Sequence, residues 1–255
     1  MSESPSPLSS ILVDVELPDP APLSPTLVDL LASLRVVLLG WYAVPEQTSP
    51  AQARDQFETT ARAALDRMAR PFEEAGAQVD TRLVFTGDRL DTVSRITTEE
   101  DCDAVLIPAE VDVLRRLLVP LRGLHNARRI APLVADLVRD GTTEVTLLHV
   151  LEPEETAAQA RQNVLEPVAE MLTGAGLDAE LLRLDTVRAE NPGDRIVERA
   201  ADHDAVVLGE TKPSVREILF GTVPEQIVEA AHVPVILVRH EREEVEVAER
   251  VAQAE

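Results

Sequence analysis

The sequence predicts an α/β protein made of two parallel-sheet units in tandem, the first of them incomplete. Three observations carry that prediction. Short Val/Leu-rich runs alternate with segments of helical periodicity, the pattern that right-handed βαβ crossovers produce. The pattern then restarts: RVVLLGWYAVPEQT at 35–48 matches EVTLLHVLEPEET at 144–156, EEAGAQVDTRLV at 73–84 matches TGAGLDAELLRL at 173–184, and DCDAVLI at 101–107 matches DHDAVVL at 202–208. Only the second copy runs on past its fourth strand, through Gly209, a polar loop and Gly221-Thr222, into a further helix and strand.

Taken in order, residues 1–10 are rich in Ser and Pro and are expected to be disordered. Ile11 to Leu17 reads as a strand closed by the turn PDPAPLSP, and 26–34 as a helix. Arg35 to Val44 is a continuous apolar run of the kind buried in a parallel sheet. Ala51 to Ala75 is an amphipathic helix with Gly76 as its stop. A strand at 79–86, a helix at 89–100 and a strand at 104–107 follow. The second copy repeats this with strands at 117–121, 145–151, 179–186, 205–208 and 234–238, separated by helices at 126–139, 154–172, 193–201 and 223–231. The expected domains are therefore 11–112 and 113–240, with 241–255 an acidic tail. The first copy lacks a last helix and strand, so its edge at Ala104 to Ile107 is left open, and an exposed edge demands cover. Either the 234–238 strand of the same chain covers it or a second chain does; a homodimer is the favoured expectation.

Composition excludes several functions. Asp and Glu number 46 against 24 Lys and Arg, a formal charge of −22, and Lys212 is the single lysine. A carboxylate surface spread over foldable segments is the habit of halophilic proteins, and salt relieves its self-repulsion. There is no basic stripe to neutralise phosphates and aromatics make up only 2% of the chain, so nucleic acid is not an expected partner. The lone Cys102 rules out an internal disulfide and is expected to be buried and inert. MSESPSPLSS has neither a basic region nor an apolar core, so no signal peptide is expected. The longest apolar run, 36–44, is far short of the ~20 residues that span a bilayer. A cytoplasmic protein, not embedded in a membrane, is expected.

The second copy's loop holds the candidate site. A glycine at a strand end, a polar loop and Gly-Thr before a helix is how open α/β sheets cradle anions. Thr222-x-x-Glu225 equally reads as a capping box, with Pro224 in the first turn, and both readings fit the residues. Lys212 lies in the same loop, where an ammonium could hold a phosphate as a point charge. The histidines at 125, 149, 203, 232 and 240 show no metal-ligand spacing, and His149, inside an apolar strand, reads as a core histidine. Asp202/Asp204 and Glu99/Glu100/Asp101 read as helix-end charges. No nucleophile elbow, P-loop or metal triad appears, so neither catalytic nor metal residues are expected.

These residues resemble the universal stress protein (UspA-like) family in tandem form, over 11–240, with the acidic flavour of haloarchaeal members. RRLLVPLRG at 115–123 looks like the family's first strand and turn, and GETKPSVREILFGTVPEQI before VPVILVR looks like its phosphate loop, last helix and last strand. The resemblance implies Rossmann-like units of strand order 3-2-1-4-5, paired through the last strand. Nucleotide-binding members carry Gly-x2-Gly-x9-Gly-(Ser/Thr). Gly209 matches the first glycine, Lys212 stands at the second, and Gly221-Thr222 matches the end of the motif one residue early. The family's aspartate after the first strand corresponds to Arg122 in the second copy and Glu16 in the first. The implied binding set is thus Gly209, Lys212, Gly221, Thr222, Val223 and Arg122, with ATP or AMP as ligand. The implied function is that of a non-catalytic stress-response sensor or adaptor. The alternative is a nucleotide-free interaction module that regulates a membrane transporter or transducer.

Overall fold

A computed structural model describes residues 9–45, 47, 49–124, 127–139, 141–209 and 222–239. The chain divides into two compact units, 1–103 and 104–255.

In the first unit three strands pair in parallel, β1 (Ser10–Leu17) and β3 (Gln78–Thr86) flanking β2 (Arg35–Ala43). Helices α1 (Pro25–Leu31), α2 (Pro50–Glu74) and α3 (Arg89–Glu99) connect or follow them. Each start is signalled locally. Ser24 and Ser49 accept from the amides of Leu27 and Gln52 and each is followed by a proline, which has no N–H to lose at a first turn. Gly76, at φ +89°, ends the α2 region in the left-handed conformation that only glycine enters freely. Along α2 small residues (Ala53, Ala61, Ala64, Ala69) share the buried face with Leu65 and Phe72. At Gly40 a Cβ would lie 2.7 Å from Leu17 Cδ1, so a bare backbone is what lets these leucines close over β2.

The second unit contains β4 (Ala104–Ile107), β5 (Arg116–Pro120), α4 (Ala127–Leu137), β6 (Glu144–Leu151), α5 (Ala157–Ala160), a π-helical turn (Arg161–Leu165), α6 (Glu166–Gly174), a 3-10 turn (Ala179–Leu181), β7 (Leu182–Arg188), α7 (Pro192–Ala200), β8 (Ala205–Gly209), α8 (Thr222–Ala231) and β9 (Val235–Val238). Its strands run in the order β4-β9-β8-β5-β6-β7. All neighbours are parallel except β4 and β9. The π turn comes just before Pro167, whose missing N–H removes a rung of the α ladder. Leu118, Leu148, Val206, Leu208, Val235 and Leu237 of the sheet pack with Ala200 and Ile227 of α7 and α8 into one core.

Three expectations change. The first concerns the edge at 104–107: it is paired by β9 of the same chain, Ala104 facing Val238 and Ile107 facing Val235. The ground for expecting a homodimer, an open β4, is therefore gone. Second, β4, which the sequence groups with the first copy, falls with 104–255 in the division into compact units, because it takes its antiparallel partner from 235–238. Third, residues 179–181 are not strand. Asp178 accepts from the amide of Glu180 and turns the chain once before β7 begins.

The repeated aspartates have matched roles. Asp204 accepts from the amides of Arg115 and Arg116 at 2.8 Å, and Asp103 accepts from the amide of Ser10 at 2.8 Å, so Asp204 seals the start of β5 and Asp103 the start of β1. Asp204 is therefore not a solvated helix-end charge. Cys102 is buried, its thiol outside any disulfide.

Candidate functional site

In an open parallel sheet the crevice lies beyond the carboxyl ends of the strands, where the order reverses. In the second unit that point is between β5, whose chain moves on to β6, and β8 on its other side. Gly209 ends β8 there, half-buried and paired with Val238. Arg122 stands just past β5, exposed and in no ion pair with another described residue, and its neighbours Arg128 and Arg129 are in none either. The first turn of α4 adds Arg128 and Arg129 and contains no acid, the reverse of the charge that a helix N-terminus prefers. α8 begins at Thr222. Val223 is half-buried, and its Cγ2 would lie 2.9 Å from a Cβ at Gly193, so Val223 is a packing residue between α7 and α8. Lys212, Gly221 and the contacts of the Thr222–Glu225 capping box lie outside the described residues.

The rim of this crevice includes a group that the sequence reading left in the core. His149, near the end of β6, is 3% exposed. Its Nδ1 is 2.8 Å from the Leu121 carbonyl and its Nε2 is 2.8 Å from Glu155 Oε2. Glu155 also accepts from the amide of Glu152 at 3.1 Å. Arg188, ending β7, donates to the carbonyls of Glu152, Pro153 and Glu155 at 3.0, 3.1 and 2.6 Å, and so holds the β6–α5 loop by its backbone. Burial alone would raise the Glu155 carboxyl. The hydrogen bonds from His149 and Glu152, with the His149 and Arg188 charges, outweigh it and hold the group below its ordinary 4.5. The signal available in the sequence was the His149-x5-Glu155 spacing across a strand end.

At the corresponding end of the first unit, Glu16 is exposed on β1 opposite Trp41 of β2. The buried Asp14 receives both Nε and Nη2 of Arg89, at 2.6 and 3.1 Å, while the guanidinium lies 5.9 Å from the Trp41 ring centre. The hydrogen bond to Asp14 is the main reason the Arg89 guanidinium is held above its ordinary value. No group of three His, Cys, Asp or Glu able to hold a metal ion occurs among the described residues. Two shallow clefts lie away from the rim, one between α7 and α8 at Asp194, Val197 and Gln226, the other beside Pro108, Glu110 and His232. No described helix is long and apolar enough to cross a membrane.

The architecture and the position of this crevice define an α/β protein of the Rossmann-like class. Residues 114–239 match the model of the Universal stress protein family. No curated protein matches the chain. Among solved structures, it is similar to a universal stress protein from Archaeoglobus fulgidus DSM 4304 at TM-score 0.64 and 15% identity, covering 92% of this chain and 97% of that one. A universal stress protein described as putative, from Pseudomonas aeruginosa UCBPP-PA14, aligns at TM-score 0.53 and 18% identity, over 91% and 94% of the two chains. A functionally unknown protein from Pseudomonas aeruginosa PAO1 aligns at TM-score 0.52 and 16% identity, over 97% and 98%. At these identities the likeness is one of fold.

Proposed function

We propose that the chain is a tandem universal-stress-type protein of the cytoplasm, a sensor or adaptor without catalysis, whose second unit takes an adenine nucleotide such as ATP or AMP. The observation that carries the reading is Arg122, an exposed guanidinium that pairs with no described carboxylate, at the switch point of the sheet beside Gly209. α4 follows β5 and α8 opens at Thr222, and a helix N-terminus beside a cation is a place where an anion is stabilised. Phosphates would be held by Arg122, Gly209 and the 210–222 loop, with Lys212, Gly221 and Thr222 as its polar members. Occupancy would change the surface offered to a partner. The first unit, with Arg89 already paired to Asp14, would serve as a structural partner. The acidic surface marks a protein of high-salt surroundings.

The test is titration calorimetry of ATP, ADP and AMP in molar KCl with Mg²⁺, on wild type, Arg122→Ala, Lys212→Ala and Thr222→Ala. Micromolar binding, weakened at least about tenfold (~1.4 kcal/mol) by Arg122→Ala, supports the reading. An absence of heat would favour the second reading, a nucleotide-free module acting on a membrane transporter or transducer. The observation on that side is that Arg122 replaces the acid which the resemblance leads one to expect for a nucleoside.

A further inference from the structure

Three arginines follow β5 closely in sequence, Arg122 just past the strand and Arg128 and Arg129 in the first turn of α4. None forms an ion pair with a described residue. Yet the chain holds 46 Asp and Glu against 24 Lys and Arg, and it gives carboxylates to Arg35, Arg89 and Arg199. Cations in a first helical turn also stand against the helix's own field, which favours negative charge there. No acid in that turn offsets them. The acids that follow β6, Glu152, Glu154 and Glu155, are on the side of β5 away from β8. A multiply charged anion is the ligand that balances such a placement. A base finds less. The described residues of the second unit contain no Phe, Tyr or Trp, so no aromatic ring is there to stack on one. His149, the ring beside the crevice, is buried with an oxygen at each nitrogen.

We propose that the second unit reads the phosphate chain of its ligand and not the base, with Arg128 and Arg129 binding the phosphates beyond the one that Arg122 holds. This rests on the reading that the crevice takes a phosphorylated ligand. A guanidinium presents paired N–H groups that match the oxygens of a phosphate. Each phosphate added to the chain therefore brings oxygens to a further arginine. Affinity rises with the number of phosphates and is indifferent to the group that carries them. Nucleoside triphosphates and inorganic tripolyphosphate share that chemistry.

The experiment is titration calorimetry of ATP, GTP, AMP, adenosine and inorganic tripolyphosphate into the full-length protein in molar KCl. Wild type is compared with the double variant Arg128→Gln/Arg129→Gln. ATP, GTP and tripolyphosphate should bind within about threefold of one another, AMP at least about tenfold more weakly, and adenosine without heat. The double variant should lose at least about tenfold for ATP and tripolyphosphate and keep AMP within about twofold of wild type. A loss confined to the longer chains is one that general damage to the fold would not give. ATP bound without tripolyphosphate, or AMP bound as tightly as ATP, overturns the proposal and leaves the nucleotide reading standing. So does a double variant with wild-type affinity for ATP. Tripolyphosphate bound without any nucleotide ends the nucleotide reading and keeps the phosphate site. Binding of neither overturns both.

Discussion

Val105 of β4 and Leu237 of β9 face each other in the one antiparallel ladder of the second unit's sheet. In such a ladder successive N–H groups alternate sides. The double substitution Val105→Pro/Leu106→Pro therefore removes whichever amide points to β9. The expected cost is about 3 kcal/mol or more, read as a lower urea midpoint. It should also leave β9 with a bare edge, and light scattering should show concentration-dependent association absent from the wild type.

Asp14 and Arg89 give a second, asymmetric prediction. Asp14 is buried while Arg89 is partly exposed, so removing the arginine strands a carboxylate. Arg89→Ala should cost roughly 3 kcal/mol, more than the isosteric Asp14→Asn. Trp41 is the chain's single tryptophan and lies under the guanidinium, so its fluorescence should shift in Arg89→Ala.

Packing at Gly193 has a similar test. A methyl group there would lie 2.9 Å from Val223 Cγ2, and Gly193→Ala should destabilise by about 1–2 kcal/mol. Val223→Ala in the same chain should return most of that loss, a coupling that a double-mutant cycle measures.

For pH, His203 sets the sign. Burial, the largest influence, holds its imidazole below the ordinary 6.5, against the Arg199 carbonyl, which raises it and lies 2.8 Å from Nδ1. Between the lowered folded value and 6.5 the unfolded chain binds more protons than the native one. The His203 contribution to stability is thus complete above about pH 6.5 and declines as the pH falls through that window. Urea midpoints at pH 7.5 and 5.5 should differ less in His203→Gln than in wild type.

The formal charge of −22 predicts a salt response. Screening length falls to ~3 Å at 1 M, so repulsion among surface carboxylates fades. The melting temperature should rise between 0.05 M and 2 M KCl; an unchanged value would contradict self-repulsion as a significant term.

Most of the strands and helices were legible because their signals are local. Arg35 to Val44 is an unbroken apolar run, Ser49-Pro50 opens α2, and Gly76 closes it. The 3-10 turn at 179–181 was hidden because Ala-Glu-Leu-Leu carries strand-like residues and only the Asp178 side chain decides the backbone. The place of β4 was legible only as a choice between the 234–238 strand of the same chain and a second chain. AVLI suits either, and the strand it pairs with lies more than a hundred residues on. At the site, Gly209 and Arg122 could be placed from the strand ends. His149 was read correctly as buried, but its tie to Glu155 crosses a loop whose shape Arg188 fixes by gripping carbonyls, and backbone carbonyls carry no sequence signature.

The offset between repeat and compact unit bears on how this chain can be taken apart. A fragment excised where the second copy begins, at 113, would carry β9 without β4 and expose a naked ribbon of amides and carbonyls. One begun at 104 keeps the β4–β9 ladder. The stretch that looks like the tail of the first copy thus supplies a strand to the second. Duplication and physical autonomy have different borders in this molecule, and a recombinant piece should respect the second.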